Sequence, residues 1–583
     1  MRRFSALFLA IIVIFTAFSM VGCDNQEQSD VIELNVYNWE DYIAQDEEAD
    51  LIKDFEEYYF ETYGKKVKVN YSTFGTNENM YNELQLSKVK TVSGYDYGYD
   101  LVCPSDYMIQ KMIYEGMLEK LDYTIPVGQE GNLSDYKNYV SNHIYSLFGN
   151  QTDIDGNAVN WNDYAVAYMF GTMGFVYNPN RLSKNPEYTE GDESHWDFPW
   201  KTYSKNLGTI KDSIRDTYAL AIGKVYAEEL TTLGNEYKNG LITTQKYQEK
   251  LVEIFNRTDD ETVRKVTDEL ITLKENVYGF EVDSGKRDMA SEKIAINFAW
   301  SGDAVYTLDI AEESGTILYY AVPEEGSNIW FDGWVMPKGA NVPVAQEFIN
   351  YLSKPENAIA NMNYIGYTPA IAGEDMYENC LDWYGTYVLV ESNENEEDAV
   401  LLDGKYYLEV YFGDLFDENG NLLSEYSSML NLDGTYNIIY PEYDDDYNVI
   451  GYYEEENVEM YEHDVSIILN TSADASSNNV YTVWTEAENK NRQLFTQYPD
   501  ADTVYRCAIM KHLSDDDMSK LNDMWEEVKV SAIPEWLMWL IVFVIIAIIV
   551  IVPVFTYLNK RGVRINIKFK NKNLTPIKRE ILK

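Results

Sequence analysis

Histidine and cysteine are scarce, with four of each in 583 residues. His143, His195, His463 and His512 are scattered without metal-ligand spacing, and no CxxC pair occurs, so a zinc cluster is not suggested. Cys103, Cys380 and Cys507 permit at most one disulfide. No Gly-x-Ser-x-Gly, His-Glu-x-x-His or phosphate-loop pattern is present, which disfavours hydrolase and nucleotide chemistry. Positive charge is also short: 46 Lys and Arg stand against 97 Asp and Glu, a net charge of −51. A field of that sign repels nucleic acid and anionic substrates and favours cations near the surface, although solubility accounts for most of it.

The two ends read differently from the body. Met1–Cys23 has a basic start at Arg2 and Arg3, an apolar stretch Phe4–Phe18 and a close at Met20–Val21–Gly22–Cys23, the form of an export signal. Its ending resembles a bacterial lipobox, with Met20 where Leu is usual, and implies lipidation of Cys23. The alternative is an uncleaved anchor helix. Near the other end, Trp536–Tyr557 carries no charge and is long enough to cross a hydrocarbon core of about 30 Å, so a transmembrane helix is expected over 535–557. Trp536, Trp539 and Tyr557 lie near its ends, as interfacial aromatics do. The tail 558–583 holds nine Lys and Arg against Glu580 and should stay cytoplasmic. Without the two ends, 35 basic and 96 acidic residues remain, near −61.

From Val31 the chain alternates strand-like and helix-like runs. Strands are expected at Val31–Tyr37, Lys66–Phe74 and Tyr99–Cys103, and helices at Glu47–Tyr63, Asn77–Leu86 and Asp106–Glu115. This alternation predicts an α/β lobe with a largely parallel sheet, in which ligands bind beyond the carboxyl ends of strands. Tyr164–Asn178, apolar and glycine-rich, looks like the crossing into a second lobe. That lobe includes the strand-to-helix passage Gly208–Leu220, where Asp212 or Ser213 would cap the helix, and the strand Lys293–Phe298.

Aromatics recur at the ends of apolar runs, beside an acid or a glycine, rather than within them. Trp39, Tyr42, Tyr107, Trp300, Trp330 and Tyr367 all follow this rule. The densest case is Asn328–Pro337, where Asp332 sits among Trp330, Phe331 and Trp334, with Gly333 beside it. Aromatic faces attract alkylammonium groups and a carboxylate supplies the counter-charge, so this pattern suits an organic cation. A plain core strand is the competing reading of that run. Ser105 reads equally as a helix N-cap, and Asp216 as a residue that satisfies a helix dipole.

Six blocks taken together resemble the periplasmic spermidine/putrescine-binding proteins, the receptors of polyamine ABC importers. They are Leu34–Ile43, Tyr99–Tyr107, Asp212–Asp216, Phe298–Ala304, Trp330–Trp334 and Ile365–Pro369, in family order over about residues 31–372. A weaker echo lies near Gln493–Lys529. The resemblance implies a two-lobed type II periplasmic-binding-protein fold closing about hinge strands. It places 31–127 with 333–365 in the first lobe and 128–332 with 366–530 in the second. It implies that Trp39 and Tyr42 line the site from the first lobe, with Ser105 and Tyr107 opposite. Trp300 and Trp330 would sandwich a methylene chain, Asp332 and Asp216 would hold amines, and Tyr367 would hydrogen-bond the ligand. It implies no cofactor and no catalysis, with an ABC permease and its ATPase as partners. Ser213 departs from the family, which has a paired acid there, and this puts one terminal-amine contact in doubt.

Residues 373–480 lie outside the resemblance: an acidic, Tyr-rich segment expected to be a mostly β insertion on the second lobe. Asp153–Gly156 and Asp417–Gly420 faintly resemble calcium loops but lack the ligand spacing, and are expected to be hairpin turns. Two further functional classes stay open: a receptor of the same fold for another solute such as a sugar, and an extracellular glycosidase using paired carboxylates. A sensor signalling through the helix is a further reading, but the 26-residue tail is too short for an output domain.

Overall fold

The computed structural model describes residues 31–530, apart from 47–48, 93, 394–395, 397, 418–419, 445–446 and 474–478, together with Trp539 and 542–546. Residues up to Met524 form one compact unit, and a second begins at Trp525.

The first unit opens with a parallel β–α–β passage. Ile32–Trp39 pairs with Val67–Phe74 over its full length, and Leu51–Tyr63 crosses between them. The Asp50 side chain accepts from Lys53 N, so this helix starts later than the expected Glu47. Gly64 ends it at φ 66°, a conformation that glycine adopts without a Cβ penalty. Leu51, Ile52, Phe55 and Tyr59 form its buried face. Leu101–Val102 pairs parallel with Ile32–Trp39 on the other side. A second parallel group lies elsewhere in the same sheet, in the order Gly279–Glu281, Gly208–Lys211, Ile296–Trp300.

Two long strands join these groups. Ala165–Tyr177 is buried along its whole length. At about 3.3 Å per residue it spans about 43 Å, enough to serve both halves. Its first part pairs antiparallel with Ser327–Val335, and its last residues pair with Ile296–Trp300. Ser327–Val335, also buried throughout, touches the first group through Val335 opposite Val102. Such continuously apolar strands are what a sheet covered on both faces requires.

The segment after Gly373 is rich in strands. Tyr387–Ser392, Val400–Leu402 and Lys405–Tyr411 form one antiparallel sheet, and Tyr436–Tyr443 with Val449–Val458 forms a hairpin. Val388, Val390, Phe412, Leu415, Ile438, Tyr440 and Val458 close a small core between them. The chain then returns to the main sheet, where Cys507–Ala508 pairs parallel with Ser327–Asn328. Asp153–Gly156 lies at the tip of the hairpin formed by Gln151–Thr152 and Ala158–Val159.

Several expectations need correction or fall outside what is described. Cys103, Cys380 and Cys507 are buried and unpaired, so the permitted disulfide does not form among them. Among the described residues no helix is long and apolar enough to cross a membrane. The transmembrane helix expected over 535–557 is therefore not found there. Of that stretch only Trp539 and 542–546 are among the described residues. The remainder of it, the signal segment 1–23 with Cys23, and the basic tail 558–583 lie outside the described residues.

Candidate functional site

Asp332 is aimed by a break in the central pairing. Asp332 opposes Met169 but Gly333 opposes Ala167, which leaves Tyr168 as an extra residue on the facing strand. A bulge of this kind bends the ladder and redirects side chains. At the bulge Ser105 bridges to Asp332, and Gly333 N donates to Pro104 O at 3.0 Å. Asp332 is 6% exposed. Its Oδ2 accepts from the Tyr42 hydroxyl at 2.8 Å, and the Ser105 hydroxyl also supports the carboxylate. Oδ1 has no partner among the described residues. Burial pushes the carboxyl up to about 6, against the downward pull of the two hydroxyls, and the Asp216 charge adds to the rise. An acid with an unsatisfied buried oxygen costs stability unless it serves something else.

An aromatic wall continues from Tyr42. Its ring meets Tyr367 edge-on at 5.1 Å, and Tyr367 meets Trp330 edge-on at 5.7 Å. Tyr42 is held from behind by Tyr168, whose hydroxyl donates to Tyr42 O at 2.8 Å. Two glycines make room. A Cβ on Gly302 would lie 2.3 Å from Tyr367 Cγ, and one on Gly171 would lie 2.5 Å from Trp330 Cζ2.

Beyond Tyr367 lies a buried ion network. The Tyr367 hydroxyl donates to Asp303 Oδ1 at 2.9 Å, and Lys211 Nζ donates to Asp303 Oδ2 at 2.8 Å. Burial pushes the Asp303 carboxyl up, but the Lys211 and Lys286 ammonium groups outweigh it and hold Asp303 below the usual carboxylate range. The Lys211 ammonium also lies over the Trp300 ring, 4.3 Å from its centroid.

On the other side, Ser105 stands at the start of the helix Asp106–Tyr114 but makes no side-chain cap. Its Oγ accepts from Asn77 Nδ2 at 3.0 Å, so the capping alternative gives way to a role in the cluster. Asn77 also donates to the Tyr107 hydroxyl, and the Arg215 guanidinium lies over the Tyr107 ring at 4.8 Å. Ser213 caps the helix Ile214–Val225, and Asp216 lies in its first turn. Burial raises the Asp216 carboxyl, and the Ser213 hydroxyl partly offsets the rise.

Direct contacts thus link Tyr42, Ser105, Trp330, Asp332 and Tyr367; Tyr107 joins them through Asn77, Trp300 through Lys211 and Asp303, and Asp216 through its charge. Trp39 is the exception: its ring contact is with Phe74 at 4.6 Å, and its indole N–H has no partner among the described residues. Lys211, Asp303, Asn77 and Arg215 were not among the expected site residues. Lys211 carried a usable signal, a charge ending the buried strand Gly208–Lys211.

A family model described as bacterial extracellular solute-binding protein matches residues 50–377. The chain belongs to this family. Its members are solute-binding receptors, and the α/β sheet with its two joining strands is the periplasmic-binding-protein-like fold. The spermidine/putrescine-binding periplasmic protein of Salmonella typhimurium is 28% identical over 358 residues, covering 61% of this chain and 83% of the relative. The putrescine-binding periplasmic protein PotF of Escherichia coli is 26% identical over 340 residues, covering 58% and 77%. Among solved structures, the spermidine/putrescine ABC transporter substrate-binding protein PotD of Streptococcus pneumoniae aligns at TM-score 0.46 and 23% identity, over 86% of this chain and 99% of that one. The family match ends at residue 377, before most of the strand-rich segment.

Proposed function

We propose that this chain is the extracytoplasmic receptor of an ABC importer and that its ligand is a linear polyamine of the spermidine/putrescine class. The observation that carries the reading is Asp332: a buried carboxylate set among Tyr42, Trp330 and Tyr367, with one oxygen unpartnered among the described residues. An alkylammonium supplies the missing N–H donors, and aromatic faces replace water along its methylene chain at about 25 cal/mol per Å². The names of the relatives point to the same ligands. On this reading Trp39, Tyr42, Ser105, Tyr107, Asp216, Trp300, Trp330, Asp332 and Tyr367 line the ligand site. Residues 31–127 with 333–365 form one jaw, and 128–332 with 366–530 the other.

The reading includes delivery to a permease without catalysis by the receptor, and retention at the membrane. Retention rests on the sequence of the N-terminal end alone, through a lipid on Cys23. Thermal shifts of the purified chain with putrescine, spermidine, spermine and maltose test the ligand class. Stabilisation by maltose and by none of the amines would overturn it.

A further inference from the structure

A cavity of about 410 Å³ lies apart from the Asp332 cluster, and none of Tyr42, Trp330, Asp332 and Tyr367 lines it. Pockets for small molecules run from about 300 to 1,000 Å³, so this one has room for a ligand. The helix Ser301–Glu313 forms one wall through Asp309 and Glu312. The helix Glu374–Tyr384 contributes Trp383 and Tyr384 from its last turn, and Arg492 and Gln493 stand on a third side. Most of the lining lies past residue 377, where the family match ends, so the cavity is built largely by chain that the family model does not describe.

Two features of the walls point to an organic cation. The first is Trp383, which is 60% exposed although tryptophan is on average a highly buried residue. Its indole face is the best aromatic partner for an ammonium group. The second is the pair of acids. Asp309 and Glu312 are three residues apart and share one helix face, where like charges repel. Gln493 Nε2 donates to Asp309 Oδ1 at 2.9 Å and to Glu312 Oε2 at 3.0 Å, which holds the two carboxylates together without neutralising either. Arg492 pairs with Glu312, whereas Asp309 has no ion pair among the described residues. Partial burial pushes the Asp309 carboxyl up and the Gln493 amide opposes it, while Glu312 and Glu313 raise it more than Arg492 lowers it. One more positive charge at this wall would relieve that field.

We propose that this cavity is a second binding site, for a small organic amine whose ammonium lies between Asp309 and Glu312 and whose carbon chain rests on Trp383. Charge-assisted hydrogen bonds to the carboxylates and contact with the indole face would hold it. A sugar could use the same ring and amides, but it would leave Asp309 uncompensated. The site stands independently of the ligand assigned to Asp332.

The test is equilibrium dialysis of labelled putrescine, carried to saturation, against the full chain and the variants Asp332→Asn, Trp383→Ala and Asp309→Asn. Trp383 and Asp309 are both exposed, so neither substitution removes a core side chain. The wild-type chain should bind two equivalents. Asp332→Asn should weaken one of them, and Trp383→Ala and Asp309→Asn should each weaken the other at least threefold. A single equivalent that depends on Asp332 alone overturns this site and leaves the polyamine reading intact. A second equivalent that changes less than threefold in either variant is diffuse attraction to an acidic surface and also overturns it. A single equivalent that depends on Trp383 and Asp309 but not on Asp332 supports this site and overturns the Asp332 reading. Glucose bound in a Trp383-dependent way, with no putrescine bound there, overturns the ligand class.

Discussion

The Tyr42 hydroxyl donates to Asp332 Oδ2 at 2.8 Å, joining residues 290 positions apart in the chain. Tyr42 follows the first strand and Asp332 lies in the bulged central one, so the contact fixes the end of one parallel group against the strand that joins both. It also leaves the other carboxylate oxygen as the acceptor still to be used.

Asp332→Asn should weaken polyamine binding at least tenfold, about 1.4 kcal/mol, because the amide keeps the shape and loses the charge. Isothermal titration measures this, and unchanged affinity would remove Asp332 from the site.

The same substitution should stabilise the ligand-free protein at neutral pH. The folded-state value of Asp332 is about 6, above the ordinary 3.8, so folding favours the protonated form. Its contribution to stability is full below about pH 4 and is lost as pH rises through about 6. Asparagine does not suffer that loss. Melting temperatures of wild type and Asp332→Asn should therefore diverge between pH 4 and 7 and agree at the acid end.

Ligand affinity should run the opposite way with pH. The amine needs the carboxylate, so binding should fall as pH drops through about 6. Tyr42→Phe removes a hydrogen bond that favours the ionised form and should move this midpoint upward. A pH series of titrations on both proteins reads the shift, and coincident profiles would show that the Tyr42 hydrogen bond has no influence on Asp332.

Gly302→Ala should weaken binding although Gly302 is not itself a proposed ligand contact. The added Cβ would come within 2.3 Å of Tyr367 Cγ, near the root of that side chain, so the ring must move and with it its edge contacts to Tyr42 and Trp330. The expected loss is tenfold or more in affinity, with far-UV circular dichroism unchanged.

Much of the scaffold was legible because its signals are local. Ser213 caps the helix Ile214–Val225 as expected, Gly116 has a positive φ just after the helix Asp106–Tyr114, and Ile32–Trp39 ends with its aromatic in place. The aromatics and acids at strand ends were legible by the same rule, and the structure brings most of them into one cluster. Lys211 was not, because its significance depends on Asp303, 92 residues away, and on the ring of Trp300. Ser105 read equally well as a cap until Asn77 and Asp332 came to flank it. Trp39 shows the limit of the rule: a terminal aromatic can pack on its neighbouring strand, here through Phe74.

The two long strands have a consequence for how the molecule is made. Val335 reaches Val102 only after more than two hundred intervening residues have been synthesised, so the N-terminal β–α–β passage waits on partners that arrive late. The first parallel group can pair within itself by residue 102, but it joins the rest of the sheet only once residue 335 has followed. Assembly of the complete sheet is thereby postponed until more than half the polypeptide has been made.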